Sequence, residues 1–176
     1  MKYLFLSFSM LCFGICLGQY DTAAFPIPMD HGIVFYHQSY SVNSSKQADE
    51  LYGRALHWFG TPSSQFKKTL INQDQKSGTL SGMVAYKVLI PGTTNYFWIR
   101  AKAEIHVIEG SYAMQVYDFY EKPIEKGITN DYSKIEYRWW DFRKGKPWSS
   151  EDEALFSGLD QGTKGLMSTL QTAMPN

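Results

Sequence analysis

The sequence predicts an α+β fold, a curved antiparallel sheet of five to six strands with two helices packed on one face. Three observations predict it. Within residues 96–108, apolar and polar side chains alternate strictly from Ile99 to Val107, the two-residue period of a strand with one face packed and the other wet. Residues 46–59 and 151–173 instead repeat apolar side chains at the i, i+3, i+4 spacing of a helix with one buried face. Between these helices the period is two and the chain is punctuated at Asp74 to Gly78, Pro91-Gly92 and Glu109-Gly110, so strands joined by turns fill that region.

The elements follow in order. Lys2 gives a short positive start, and residues 3–17 form an apolar run interrupted by Ser7, Ser9 and Gly14. A membrane span needs about 20 apolar residues, so this run reads as a signal peptide rather than an uncleaved anchor. Cys16 and Gly18 are the small residues that signal peptidase accepts at −3 and −1 of a cut before Gln19. A lipid-modified cysteine wants a small residue just before it, and Cys12 and Cys16 follow Leu11 and Ile15. Both cysteines are therefore expected to leave with the signal. The mature chain then has no disulfide, no thiolate nucleophile and no Cys-ligated metal. The expected division is a signal peptide at 1–18, an extended lead-in at 19–31 with Pro26 and Pro28, and a single domain at 32–176.

Residues 32–42 are rich in β-branched and aromatic side chains and read as a strand. Asn43-Ser44-Ser45 offers capping groups for the first helix, whose buried face holds Ala48, Leu51, Tyr52, Ala55, Leu56 and Phe59 and which Gly60 and Pro62 end. Residues 65–73 and 79–90 read as a strand pair, with Leu80, Val84, Tyr86, Val88 and Ile90 on one face. In the strand at 96–108, Phe97, Ile99, Ala101, Ala103, Ile105 and Val107 line one face, while Trp98, Arg100, Lys102, Glu104 and His106 line the other. Glu109-Gly110 fits a two-residue hairpin loop, and the strand returns over 111–121. That loop sets a register: Val107 faces Tyr112, Ile105 faces Met114 and Ala103 faces Val116 on the core side. Glu104 then faces Gln115, Lys102 faces Tyr117 and Arg100 faces Phe119 on the open side. Residues 133–142 read as a further strand. Ser150 with Glu153 forms a capping box for the last helix, striped by Leu155, Leu159, Leu166 and Leu170. Gly158, Gly162 and Gly165 within it imply close packing or a kink.

Several of these stretches resemble one family. They are the signal peptide ending before Gln19, the segment Glu50-Leu51-Tyr52-Gly53-Arg54-Ala55-Leu56-His57-Trp58, the strand end Asp118-Phe119, and the terminal Leu159-Asp160 with Leu170 and Ala173-Met174. Together they resemble domain of unknown function 4468, exported Bacteroidetes proteins with a TATA-binding-protein-like (TBP-like) fold. The resemblance implies that fold and a place in the cell envelope. The family has no established activity, so no functional residue carries over. The fold name implies no DNA binding, because fold does not fix function.

Composition narrows the function. Lys+Arg 17 balances Asp+Glu 17 for a formal net charge of +0, without the basic excess of nucleic-acid binders. The 4 histidines lie in no metal-ligand spacing, so no metal and no cofactor is expected. No nucleophile elbow, phosphate-binding loop or dinucleotide fingerprint is present. Asp118 and Glu121 would form a carboxylate pair for glycoside hydrolysis, but pleating puts them on opposite faces of one strand. Arg138, Arg143, Lys144 and Lys146 interleave with Trp139, Trp140 and Trp148, and the reading preferred for them is an amphipathic edge under the last helix. The candidate binding surface is the open sheet face with Trp98, Arg100, Lys102, His106, Tyr117 and Phe119, since rings on a rigid sheet offer contact area and the cations add polar specificity. The expectation is an exported periplasmic or extracellular binding or interaction module without catalysis, its partner an envelope protein, peptide or glycan. The alternative is a hydrolase acting on envelope or dietary glycans.

Overall fold

The computed structural model describes residues 27–42, 47–127, 129–138 and 149–174. The signal segment with Cys12, Cys16 and Gln19, the capping segment at 43–45, Phe25, and the residues Trp139, Trp140, Arg143, Lys144, Lys146 and Trp148 lie outside them.

Within the described residues the fold is α+β. A short hairpin pairs β1 (Met29–Asp30) with β2 (Ile33–Val34). Its turn, His31-Gly32, has φ of 48° and 81°, the two positive values a type I′ turn needs. The large sheet contains β3 (Tyr36–Ser41), β4 (Lys67–Asp74), β5 (Thr79–Leu89), β6 (Tyr96–Ile108) and β7 (Ser111–Ile124) in the order β3-β7-β6-β5-β4. A sixth strand, β8 (Ser133–Lys134), pairs with β7 beyond the end of β3. All pairings are antiparallel. Helices α1 (Ala48–Gly60) and α2 (Ser150–Ala173) cover one side of this sheet. No helix among the described residues is long and apolar enough to cross a membrane.

The core forms where the alternation places it. Phe97, Ile99, Ala101, Ala103, Ile105 and Val107 of β6 are buried, with Leu80, Val84, Tyr86 and Val88 of β5 beside them. The helices supply Leu51, Tyr52, Ala55, Trp58 and Phe59 from α1, and Leu155, Leu159, Leu166 and Leu170 from α2. Trp58 sits one turn beyond Ala55 on the buried face of α1, and its indole N–H donates to Thr169 Oγ1 of α2 at 2.9 Å. The glycines of α2 allow a close approach: a Cβ at Gly158 would come within 2.4 Å of Val88, and one at Gly162 within 2.3 Å of Tyr86. Tyr86 is pinned in place, its hydroxyl donating to the Leu159 carbonyl at 3.0 Å and lying 2.8 Å from Thr163 Oγ1. Burial accordingly pushes its pKa well above that of a free tyrosine.

Four expectations are corrected. Residues 32–42 are not one strand: the β1–β2 hairpin precedes β3, and Met29–Asp30, expected as lead-in, is paired. The capping box of α2 is Ser149 with Asp152, one residue earlier than Ser150 with Glu153. Each side chain there bonds the other's backbone N–H, at 3.1 Å in both directions. The strand expected at 133–142 stops at Lys134 and gives way to a helical turn over 136–138. There Ile135 enters the core while Tyr137 is exposed.

The fourth correction concerns β7. The expected register holds for Val107–Tyr112, Ile105–Met114, Ala103–Val116, Glu104–Gln115 and Lys102–Tyr117, but Arg100 lies opposite Tyr120, not Phe119. The pairing shifts between Arg100 and Lys102, where Asp118 takes a φ of 57°. One extra residue in β7 makes a bulge, and every side chain beyond it changes face. Phe119 is therefore fully buried and leaves the candidate surface. The bulge turns Asp118 to the open side, and Glu121 is buried on the helix side at 4% exposure.

Candidate functional site

The open face of β4–β7 carries what the strand alternation leaves out of the core. Trp98, Arg100, His106 and Tyr117 are half-buried there and Lys102 is exposed, so the structure brings together every expected site residue except Phe119.

The face has two chemically different ends. At one end cations lie against rings. Lys87, directly opposite Trp98 on β5, and Lys67, one strand further out on β4, hold their Nζ atoms 5.1 and 4.7 Å from its ring, and Lys87 is also 4.5 Å from the Tyr96 ring. The Arg100 guanidinium lies 4.3 Å from the Tyr132 ring and 5.1 Å from the Tyr120 ring. Its Nε is buried and has no hydrogen-bond partner. Such ring contacts contribute about 0.5–1 kcal/mol each at exposed sites and leave the cation's charge unneutralised. Lys67, Lys87, Arg100 and Lys122 have no ion pair among the described residues. A shallow depression of about 310 Å³ opens here, lined by Lys67, Trp98, Lys122 and Tyr132.

At the other end the charges are paired. Asp118 binds Lys102 at 3.1 Å and Lys134 at 3.2 Å. Partial burial pushes the Asp118 carboxyl up, but the bonds from the two lysines outweigh it and hold its pKa below the ordinary value. Glu104 lies 2.5 Å from His106 Nε2 and accepts the Tyr117 hydroxyl at 3.1 Å, while His106 Nδ1 is 3.2 Å from Thr79 Oγ1. Glu104, His106 and Tyr117 thus converge. Asp118 does not join them, and Glu121 faces the opposite side, bound to Arg138.

Sequence reasoning missed Tyr120, Tyr132 and the flanking lysines. Tyr120 was placed on the wrong face by the bulge, and Tyr132 arrives from an irregular connection that carries no periodic signal. Lys67 and Lys87 could have been found by extending the register from β6 through β5 to β4. Ile27 of the lead-in does not fold over the open face to cover Trp98; it belongs to the core.

No protein-family model matches the chain, and no curated protein matches it in sequence. Solved structures share its fold. A TBP-like protein from Parabacteroides distasonis is 15% identical with a TM-score of 0.60, over 82% of this chain and 97% of that one. A DUF4468 family protein from Bacteroides ovatus is 12% identical with a TM-score of 0.64, over 89% of this chain and 95% of that one. The chain therefore has the TBP-like fold, and its structural neighbours include a protein of the very family that its sequence resembles.

Proposed function

We propose that the protein is an exported, non-catalytic binding or interaction module of the cell envelope, and that its contact surface is the open sheet face around Trp98, Arg100, Lys102 and Tyr117. The observation that carries this reading is the Arg100–Trp98 end of the face. Its cations rest on rings rather than on carboxylates, which leaves their charge to meet an anionic or polar group of a partner. Trp and Arg in a partly desolvated cluster are also the residue types that dominate contact energetics.

In a Trp98→Ala, Arg100→Ala double variant, stability should fall by no more than about 1–2 kcal/mol, the combined worth of the cross-strand pairs and ring interactions that these two side chains make. Capture of a partner from envelope extract should disappear. Unchanged capture would remove this face from consideration. Export is supported by the apolar run at 3–17 and the small residues before Gln19. Its check is intact mass, expected to begin at Gln19, and a species retaining Met1 or a lipid on Cys16 would overturn it.

One observation favours the hydrolase alternative. Thr79, His106 and Glu104 are joined in the order of a nucleophile, base and orienting group. Glycan hydrolysis, however, uses two carboxylates flanking a bound sugar, and here Glu104 is engaged by His106 and Tyr117 while Asp118 is held by two lysines. Release of reducing sugar from envelope glycans, abolished in His106→Ala, would favour hydrolysis over binding.

A further inference from the structure

β5 is longer than the strand beside it. β4 begins at Lys67, opposite Ala85, whereas β5 continues to Leu89. Residues 86–89 are paired with β6 on one side, and no strand among the described residues lies on the other. The direction of their free groups follows from the ladder. At its two ends Val107 N–H donates to the Gly78 carbonyl and Ile90 N–H to the Asn95 carbonyl, so the even-numbered residues of β5 exchange hydrogen bonds with β6. The N–H and C=O of Lys87 and Leu89 therefore point outward, along the unoccupied edge.

A groove of about 710 Å³ runs along this edge, between the chain at 63–67 and the glycine face of α2. One wall is fixed by the close seat of Gly158 and Gly162 on Val88 and Tyr86, the other by Phe66 and Lys67. Among the described residues, the charged side chains lining the groove are Lys67 and Lys87, the adjoining depression adds Lys122, and no carboxylate lines either. Leu89 at the rim is 71% exposed. Unpaired edge groups beside an apolar groove form a template for a further strand. The lysines set its charge.

We infer that residues 86–89 of β5 form a strand-addition site for an extended acidic peptide. Its main chain bonds to Lys87 and Leu89. Side chains of an added strand alternate between faces, so the residue opposite Lys87 points to the open face, where a carboxylate meets Lys67 and Lys87 beside Trp98. Its neighbours point toward the α2 glycines, where small apolar side chains fit. This site adjoins the open face, but it needs neither Arg100 nor a partner on that face.

The test uses labelled, acetylated and amidated hexapeptides that alternate glutamate with Val, Ala or Leu, titrated by fluorescence anisotropy into the mature chain. Saturable binding is expected, weakened tenfold or more by Lys67→Glu with Lys87→Glu. A similar loss is expected from Leu89→Pro, which deletes an outward N–H and leaves the β6 ladder intact, as prolines on strand edges do. Methylating alternate amides of the peptide tests the same bonds without altering the protein, and in one of the two registers it should abolish binding. Arg100→Ala should leave peptide affinity unchanged, so failure here is separable from failure of the open-face reading. The proposal is overturned if none of these peptides binds, or if both methylated registers bind like the parent. Competition by sulfated polysaccharide, with Leu89→Pro and methylation both silent, would also overturn it, since the groove would then be reading charge alone.

Discussion

Ile105→Asp is expected to leave no cooperative thermal transition. Ile105 is fully buried in the central strand, directly between Leu80 of β5 and Met114 of β7, which are also fully buried. Aspartate there forfeits about 2 kcal/mol of apolar burial. It also adds the several kcal/mol needed to bury an unpaired carboxyl, charged or protonated. Small domains hold only about 5–15 kcal/mol in total. The check is circular dichroism on heating, with Ile105→Val as the control that should cost only about 0.5–1.5 kcal/mol. A soluble Ile105→Asp protein with a sharp melt would refute the placement of β6 at the centre of the core.

Arg138→Ala is the second large effect. The guanidinium binds Glu121 through two nitrogens at 2.6 and 3.2 Å, reaches Asp152 at 2.7 Å and lies 4.9 Å from the Phe97 ring. It thereby ties β7 to the first turn of α2. Glu121 is almost wholly buried, so deleting its partner leaves a buried charge uncompensated. Such losses run to about 3–5 kcal/mol, and the quarter of the Arg138 side chain that stays exposed places this one near the lower end. Denaturant unfolding should show the loss, and a paired Arg138→Leu, Glu121→Leu variant should recover most of it. A single variant as stable as the parent would show that the pair is screened.

Acid titration gives an independent readout of the same tie. Burial pushes the Asp152 carboxyl up, but the bonds from Ser149 and Arg138 outweigh it and its pKa ends below the ordinary value. A depressed carboxyl contributes stability in full above the unfolded pKa of about 4, and that stability fades as pH falls through the folded value. Stability should therefore decline less steeply below pH 4 in Arg138→Ala than in the parent.

The parts of this fold that a period can encode were legible. The alternation of β6 and the Glu109-Gly110 loop determined the hairpin pairing as far as Tyr117, and the same alternation put Trp98, Arg100, Lys102 and His106 on the open face. It failed at Asp118 because a bulge is a local backbone choice. Aspartate tolerates positive φ better than most residues, but nothing in the run Tyr117-Asp118-Phe119 requires it. Phe119 and Tyr120 then exchanged faces, and the site lost one aromatic and gained another. The cap of α2 was off by one because Ser149 and Ser150, followed by Asp152 and Glu153, offer two overlapping boxes of equal chemistry. Tyr132 contributes to the site from an irregular connection, where neither helical nor strand periodicity applies.

The strand order also sets the entropy of assembly. β4 to β7 follow one another in sequence and pair as neighbours, each joined to the next by a short turn. β3 is different: Ser41 lies opposite Ser111, so joining β3 to the sheet closes a loop of about 70 residues, whereas the hairpin between Ile108 and Ser111 closes one of two. For a flexible chain the longer loop costs about 3 kcal/mol more. Against that cost stand the β3 ladder, the burial of Tyr36 against Phe119, the stacking of Tyr40 on Tyr112, and the Tyr36 hydroxyl donating to Asp160 of α2 at 3.1 Å. Among the strands of the large sheet, β3 is thus the one whose pairing demands the largest loss of chain entropy.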